Sequence, residues 1–172
     1  FAFVRNTQEE LIAAIANEGY EAVRQFHSMI HDLQNIPAHQ LPSGFEVRTV
    51  VGSHLRPIWE AQHEVNQELF EYNADRWTEE RFQKWRGSSA QHHELWQIAW
   101  EGDQVAGLVL GKIDEEENRQ EDRLRGHTHS ILIREPSRRR GLGKALISQC
   151  LQALKGRGMN EAELGVDAIN ES

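Results

Sequence analysis

The spacing of hydrophobic and polar positions changes along this chain, and each change of period marks an element. Phe45-Glu-Val-Arg-Thr-Val50 alternates and predicts a strand. Pro57 suits the first turn of a helix running to about Phe70. A second helix is predicted from Thr78, capped by its hydroxyl, with Glu79 and Glu80 near the positive end of the dipole. Glu94–Trp100 and Val105–Ile113 flank Gly102-Asp103, the pattern of a hairpin. His127–Ile133 is the next predicted strand. From Gly141 to Lys155, the residues Leu142, Ala145, Leu146, Ile147, Cys150, Leu151 and Leu154 share one broad helical face, which Gly156 and Gly158 close off. Glu161–Val166 reads as a last strand.

The N-terminal part has its own pattern. Thr7-Gln-Glu-Glu10 fits a capping box, Leu11, Ile12 and Ile15 form a helical stripe, and Gly19 is the expected stop. Tyr20–Leu33 reads as two short strands, Glu21–Phe26 and Ser28–Leu33, or as one long bent strand. Gln34–Gly44, with Pro37 and Pro42 and no periodicity, reads as a linker. Asp114–Arg125 is dense in charge and reads as a solvent-exposed connection.

Composition narrows the picture. A chain of 172 residues supports one ordinary domain, or one domain and a fragment. A formal net charge of −8 argues against general nucleic-acid binding, which needs a basic surface. One cysteine, Cys150, permits no internal disulfide and no zinc framework built on several cysteines. No apolar run reaches membrane length, and there is no signal-peptide layout, so neither a membrane nor a nucleic-acid partner is expected and a cytoplasmic location is.

Against that acidic background, Arg138-Arg-Arg-Gly141-Leu-Gly143 stands out. The glycines let a ligand approach the backbone closely, the amides at a helix start face an anion, and arginine adds forked donors. This is a site for a phosphate or pyrophosphate. It is not a Walker A loop: glycine would be needed at Arg138, and Ala145 cannot ligate magnesium. Nor is it the dinucleotide fingerprint, which would require glycine at Leu146.

A strand, Arg-x-x-Gly-x-Gly, a helix, and then a strand with Leu164-Gly-Val-Asp167 resemble the acetyl-CoA core of the GCN5-related N-acetyltransferases, over about Gly44 to Ser172. Gly141-Leu-Gly-Lys-Ala-Leu146 followed by Glu163-Leu-Gly-Val-Asp-Ala-Ile-Asn170 is similar to the second half of tandem acetyltransferases, the architecture of mycothiol synthase. The resemblance implies an α/β (α+β) fold with a mixed, mostly antiparallel sheet flanked by helices. It implies a tail of a preceding domain over 1–33, a linker over 34–44, and an acetyltransferase domain over 45–172 that lacks its final helix and strands. The N-terminal helix and strands would then complete the fold in permuted order beside Glu161–Val166, within one chain or by exchange in a homodimer. An eleven-residue linker spans at most ~35–40 Å, enough to cross a sheet of a few strands.

The family's chemistry is direct transfer of an acetyl group from acetyl-CoA, or another acyl-CoA, to a small amine, without a metal. Carried onto this sequence, backbone of Leu132, Ile133 and Arg134 would orient the pantetheine arm and the thioester. The pyrophosphate would rest on Arg138, Arg139, Arg140, Gly141, Leu142, Gly143 and Lys144, with Asn170 as a further polar contact. His127 and His129 resemble the paired histidines of arylalkylamine N-acetyltransferases, implying proton acceptors. Acceptor selection would fall to Glu60–Trp85, where Phe70, Tyr72, Trp77 and Trp85 line a pocket and Glu68, Glu71 and Asp75 attract an amine. Ile15 stands where the family often has an acidic tyrosine. That substitution leaves open the alternative of a coenzyme-binding domain with weak or lost catalysis.

Overall fold

The computed structural model describes residues 4, 7–23, 25–69, 78–88 and 92–167, in two compact units, Phe1–His27 with Val166–Ser172, and Ser28–Gly165. Six strands, most of their residues in the second unit, form one open sheet in the order β1-β6-β5-β4-β3-β2. The strands are β1 (Phe26–His31), β2 (Glu46–Val47), β3 (Trp96–Glu101), β4 (Gln104–Ile113), β5 (Arg125–Ile133) and β6 (Glu161–Asp167). From β2 to β5 the neighbours are antiparallel, and β5 with β6 is parallel.

Two apolar clusters cover the two faces. On one face, helix α5 (Leu142–Gly156) buries Leu142, Ala145, Leu146, Cys150, Leu151 and Leu154, six of the seven positions expected from its period, against Val109, Ala99 and Ile113. On the other, α2 (Leu55–Leu69) and α3 (Glu79–Ser88) place Ile58, Ala61, Val65 and Phe82 against Ile98, Leu108, Leu110 and Leu132. Thr78 caps α3 as expected, accepting from the Arg81 N–H at 3.3 Å. Arg56 bridges α2 to Glu79 of α3.

β1 lies beside β6, where a strand of the N-terminal segment was expected. Ser28 Oγ donates to Glu163 Oε1 at 2.5 Å across that pair. The chain then crosses the α5 face to the opposite edge. Leu33 is buried, Ile36 and Leu41 pack on the core, and Ser148 Oγ donates to the Pro37 carbonyl at 2.6 Å. Five strand spacings amount to ~24 Å, well inside the linker's reach.

Three expectations are corrected. Asp114–Arg125 is not all loop: Glu115–Gln120 is a helix, α4, whose N-cap Asp114 accepts from the Glu117 N–H at 3.0 Å. It shows no apolar stripe, so hydrophobic period could not reveal it. No strand forms over the described residues 21–23 and 25; β1 is already the outer strand, and no further strand of the sheet lies beyond it among the described residues. In the first unit, helix α1 (Glu9–Asn17) starts after Gln8 and not on Thr7. It buries no residue, and it ends as expected at Gly19, φ +84°, with the Tyr20 N–H bonded to the Ile15 carbonyl.

Candidate coenzyme and proton-transfer site

β5 and β6 pair from Arg125↔Glu161 to Thr128↔Leu164, and among the described residues no pairing between them follows. The backbone of β5 from 129 to 133 therefore meets no ladder on its β6 side. Antiparallel pairing with β4 fixes which groups face the gap. The Arg134 N–H bonds the Ala106 carbonyl at 3.0 Å, so by alternation Leu132 also faces β4 and Ile131 and Ile133 face the other way. The Ile133 carbonyl confirms that direction, since it accepts from Arg138 Nε at 2.9 Å.

The register with β4 slips between Leu110↔Ser130 and Gly111↔Thr128, so His129 is the extra residue of a bulge. Glycines surround it for steric reasons. A Cβ on Gly111 would come within 2.9 Å of the Leu95 Cβ and carbonyl oxygen, and one on Gly126 within 2.5 Å of Leu154. Gly126 and Thr128 thus face α5, and His127, with its cross-strand partner Lys112, lies on the opposite face.

His127 Nε2 is 3.3 Å from Glu117 Oε2 of α4. Glu117 also accepts from Arg123 Nη2 through its other oxygen. His129 keeps much of its surface open, yet the protein mass around the bulge pushes its imidazole below the ordinary value. The Lys112 ammonium and His127 push the same way, and a ring hydrogen bond to Leu110 backbone opposes them. A neutral imidazole at neutral pH is a competent proton acceptor.

At the end of the gap, Glu135–Ser137 forms one 3-10 turn and the arginine loop follows. Arg139 (φ +62°) and Gly141 (φ +83°) are both left-handed and bend the chain into α5. The α5 N-cap, Gly141, offers no side chain to the first-turn N–H groups. Among the described residues, nothing beyond the adjoining chain stands within 4 Å of a Cβ built on Gly141, so the space beside the start of α5 is open. The arginines divide their work. Arg138 ties the loop to β5, Arg139 is exposed, and Arg140 turns back, bonded to Glu101 Oε1 at 2.9 Å and lying 4.1 Å over the Phe45 ring. Arg134 bonds Glu64 of α2. Uncapped helix-start amides, strand backbone without a ladder and a basic loop thus lie in sequence from β5 into α5, an arrangement that suits an anion.

Between α2 and β5, Gln62 Nε2 donates to Ser130 Oγ at 3.4 Å, and the buried Gln62 Oε1 has no partner among the described residues. Trp85 packs between Phe82 and Trp96. Phe70, Glu71, Tyr72, Asp75, Trp77 and Asn170 lie outside the described residues, as does the side chain of Glu68. Sequence reasoning missed Glu117, Arg123, Gln62 and Ser130. The spacing Asp114-x-x-Glu117 was the available signal, because it is a helix-start pattern.

Residues 59–172 match the model of the acetyltransferase (GNAT) family. Among solved structures, a GCN5-related N-acetyltransferase from Sphaerobacter thermophilus is similar at 25% identity and a TM-score of 0.73, over 98% of this chain and 50% of that one. A tandem GNAT protein of the clavulanic acid biosynthesis pathway is similar at 12% identity and 0.63, over 99% and 53%. The PaiA N-acetyltransferase of Thermoplasma acidophilum, in complex with coenzyme A, is similar at 17% and 0.51, over 74% and 82%. The chain thus spans half the length of the Sphaerobacter protein. No curated protein matches the sequence. Among the described residues, no helix is long and apolar enough to cross a membrane, and no three His, Cys, Asp or Glu side chains are grouped to hold a metal ion.

Proposed function

The chain belongs to the acetyltransferase (GNAT) family, and on that premise we propose that it is an N-acyltransferase moving an acetyl group from acetyl-CoA to a small primary amine. The observation that carries this is the end of β5–β6 pairing after Thr128, which leaves the β5 backbone from 129 to 133 without a ladder on that side just before the arginine–glycine loop. The Thermoplasma relative is described in complex with coenzyme A, which supports a coenzyme of that type here.

In this reading the first-turn amides of Leu142, Gly143 and Lys144 hold the pyrophosphate, with charge from Arg138 and Arg139 and the backbone of Arg140 and Gly141. The Ile131 and Ile133 N–H groups orient the pantetheine arm and polarise the thioester carbonyl. Leu132 and Arg134, bonded to β4, hold that strand edge straight, and Asn170 supplies a further polar contact. Acetyl-CoA, as co-substrate, supplies the acyl group. The cationic amine first gives up one proton; its neutral nitrogen attacks the thioester carbon, the C–N bond forms, the C–S bond breaks, and the second proton lost from nitrogen passes through water to the sulfur, which leaves as free thiol. At ~3.3 Å per residue, His129 is ~7 Å and His127 ~13 Å along the strand from Ile131. The amine proton therefore passes to the histidines through water. Gln62 and Ser130 face the acceptor, and acceptor selection falls to the α2–α3 region, Glu60–Trp85. Segment 1–33 is the tail of a preceding acetyltransferase domain joined by 34–44.

The test is thiol release from acetyl-CoA across a panel of amines. Amine-dependent release supports the assignment. Coenzyme binding without release would instead assign a binding domain that has lost catalysis.

A further inference from the structure

We infer that Glu117 is a positioning residue for His127, and that α4 exists to hold it there. This deepens the proposed function and rests on His127 being a proton acceptor. Three observations converge on it. First, Glu117 Oε2 is 3.3 Å from His127 Nε2. Second, the carboxylate is itself held: Arg123 Nη2 donates to the other oxygen, and the Glu117 N–H is bonded to the cap Asp114. Third, α4 is fastened to β5 two residues before the histidine. Asn118 Nδ2 donates to the Arg125 carbonyl at 2.9 Å, and its Oδ1 accepts from the Arg125 N–H at 3.0 Å. Asn118 is the one buried residue of that helix. A helix this polar gains little from burial, so its attachment rests on these bonds.

A carboxylate beside one imidazole nitrogen selects the tautomer that carries its proton there. Glu117 thus places the proton of neutral His127 on Nε2 and leaves Nδ1 with the free lone pair. The incoming proton of the acceptor amine is taken at Nδ1, and the cation that forms keeps Nε2–H against Glu117. No net charge is left unpaired: the new positive charge faces an existing carboxylate. Lys112, His129 and Glu163 also face this ring from β4, β5 and β6.

Two measurements on the full chain test this. Nitrogen-15 tautomer spectroscopy of the histidines should find neutral His127 protonated on Nε2 in the unaltered protein and mixed in Glu117→Gln. A ring protonated on Nδ1 overturns the inference. Kinetically, Glu117→Gln should lower kcat on the order of 10-fold or more, with KM for acetyl-CoA unchanged, as part of the ~10²–10⁴-fold that a general base supplies. In a His127→Ala background the same substitution should change kcat less than twofold. An equal loss in both backgrounds means that Glu117 acts elsewhere and the dyad is wrong. If His127→Ala alone keeps the full rate, the proton-acceptor assignment fails, whatever the tautomer.

Discussion

The Asn118 side chain bonds both backbone groups of Arg125, donating to its carbonyl and accepting from its N–H. This amide does the work of one more ladder pair at the start of β5, on the same residue at which pairing with β6 begins, Arg125↔Glu161. It connects a short polar helix to the strand that carries both candidate proton acceptors.

Asn118→Ala leaves a part-buried donor and acceptor without partners, each costing ~1–3 kcal/mol. We expect a loss of about 2 kcal/mol, or ~4–8 °C in Tm for a domain of this size, measured by thermal unfolding. Acetyl-CoA binding should be retained, since the arginine loop is not touched by α4.

His129 should titrate below the ordinary histidine value of 6.5, because burial by surrounding protein, Lys112 and His127 all disfavour its cation. Below 6.5 the unfolded chain takes up this proton first, so stability attached to His129 is present above 6.5 and falls as pH drops through the folded value. Proton NMR of its ring measures the midpoint. Lys112→Met and His127→Ala should each move it upward; a midpoint above 6.5, or no response to either change, contradicts this.

Cys150 is fully buried on α5, its thiol lies 3.6 Å from the Leu95 carbonyl, and burial pushes its pKa up to about 12. A protonated, inaccessible thiol does not attack. Native protein should therefore resist thiol-directed alkylation at pH 8 and react fully in denaturant. Rapid labelling of the native protein would show that the α5 face opens.

Gly111→Ala should cost about 1–3 kcal/mol. Its Cβ would press on the Leu95 carbonyl oxygen and the Cys150 sulfur, at 2.9 and 3.0 Å. Chemical denaturation checks the loss. Because Gly111 is the first β4 partner after the bulge, any compensating shift should also appear in the His129 ring resonance.

The α5 face and the loop before it were legible because a 3.6-residue apolar period followed an unusual run of arginine and glycine. The hairpin of β3 and β4 was legible from its turn and flanking apolar runs. α4 was not, since a helix of Glu, Asn, Arg and Gln held by a cap and one buried amide leaves no hydrophobic period. The bulge at His129 was hidden for a different reason: an extra residue is defined by the partner strand. Strand alternation by itself would put His127 and His129 on one face, whereas the fold gives His127 a carboxylate neighbour and His129 a crowded bend. Three adjacent arginines looked equivalent in sequence. Tertiary partners separate them, with Arg140 drawn to Glu101 and Phe45.

The central claim is that the loop from Arg138 to Lys144 holds an acyl coenzyme A. Calorimetric titration with acetyl-CoA tests it most directly, on the unaltered chain and on Gly141→Trp. The bulky ring would fill the open space beside the start of α5, and circular dichroism checks that the variant is folded. We predict one saturable site in the unaltered protein and none in the folded variant. Absence of binding to the unaltered chain, or equal binding to both, would contradict the account.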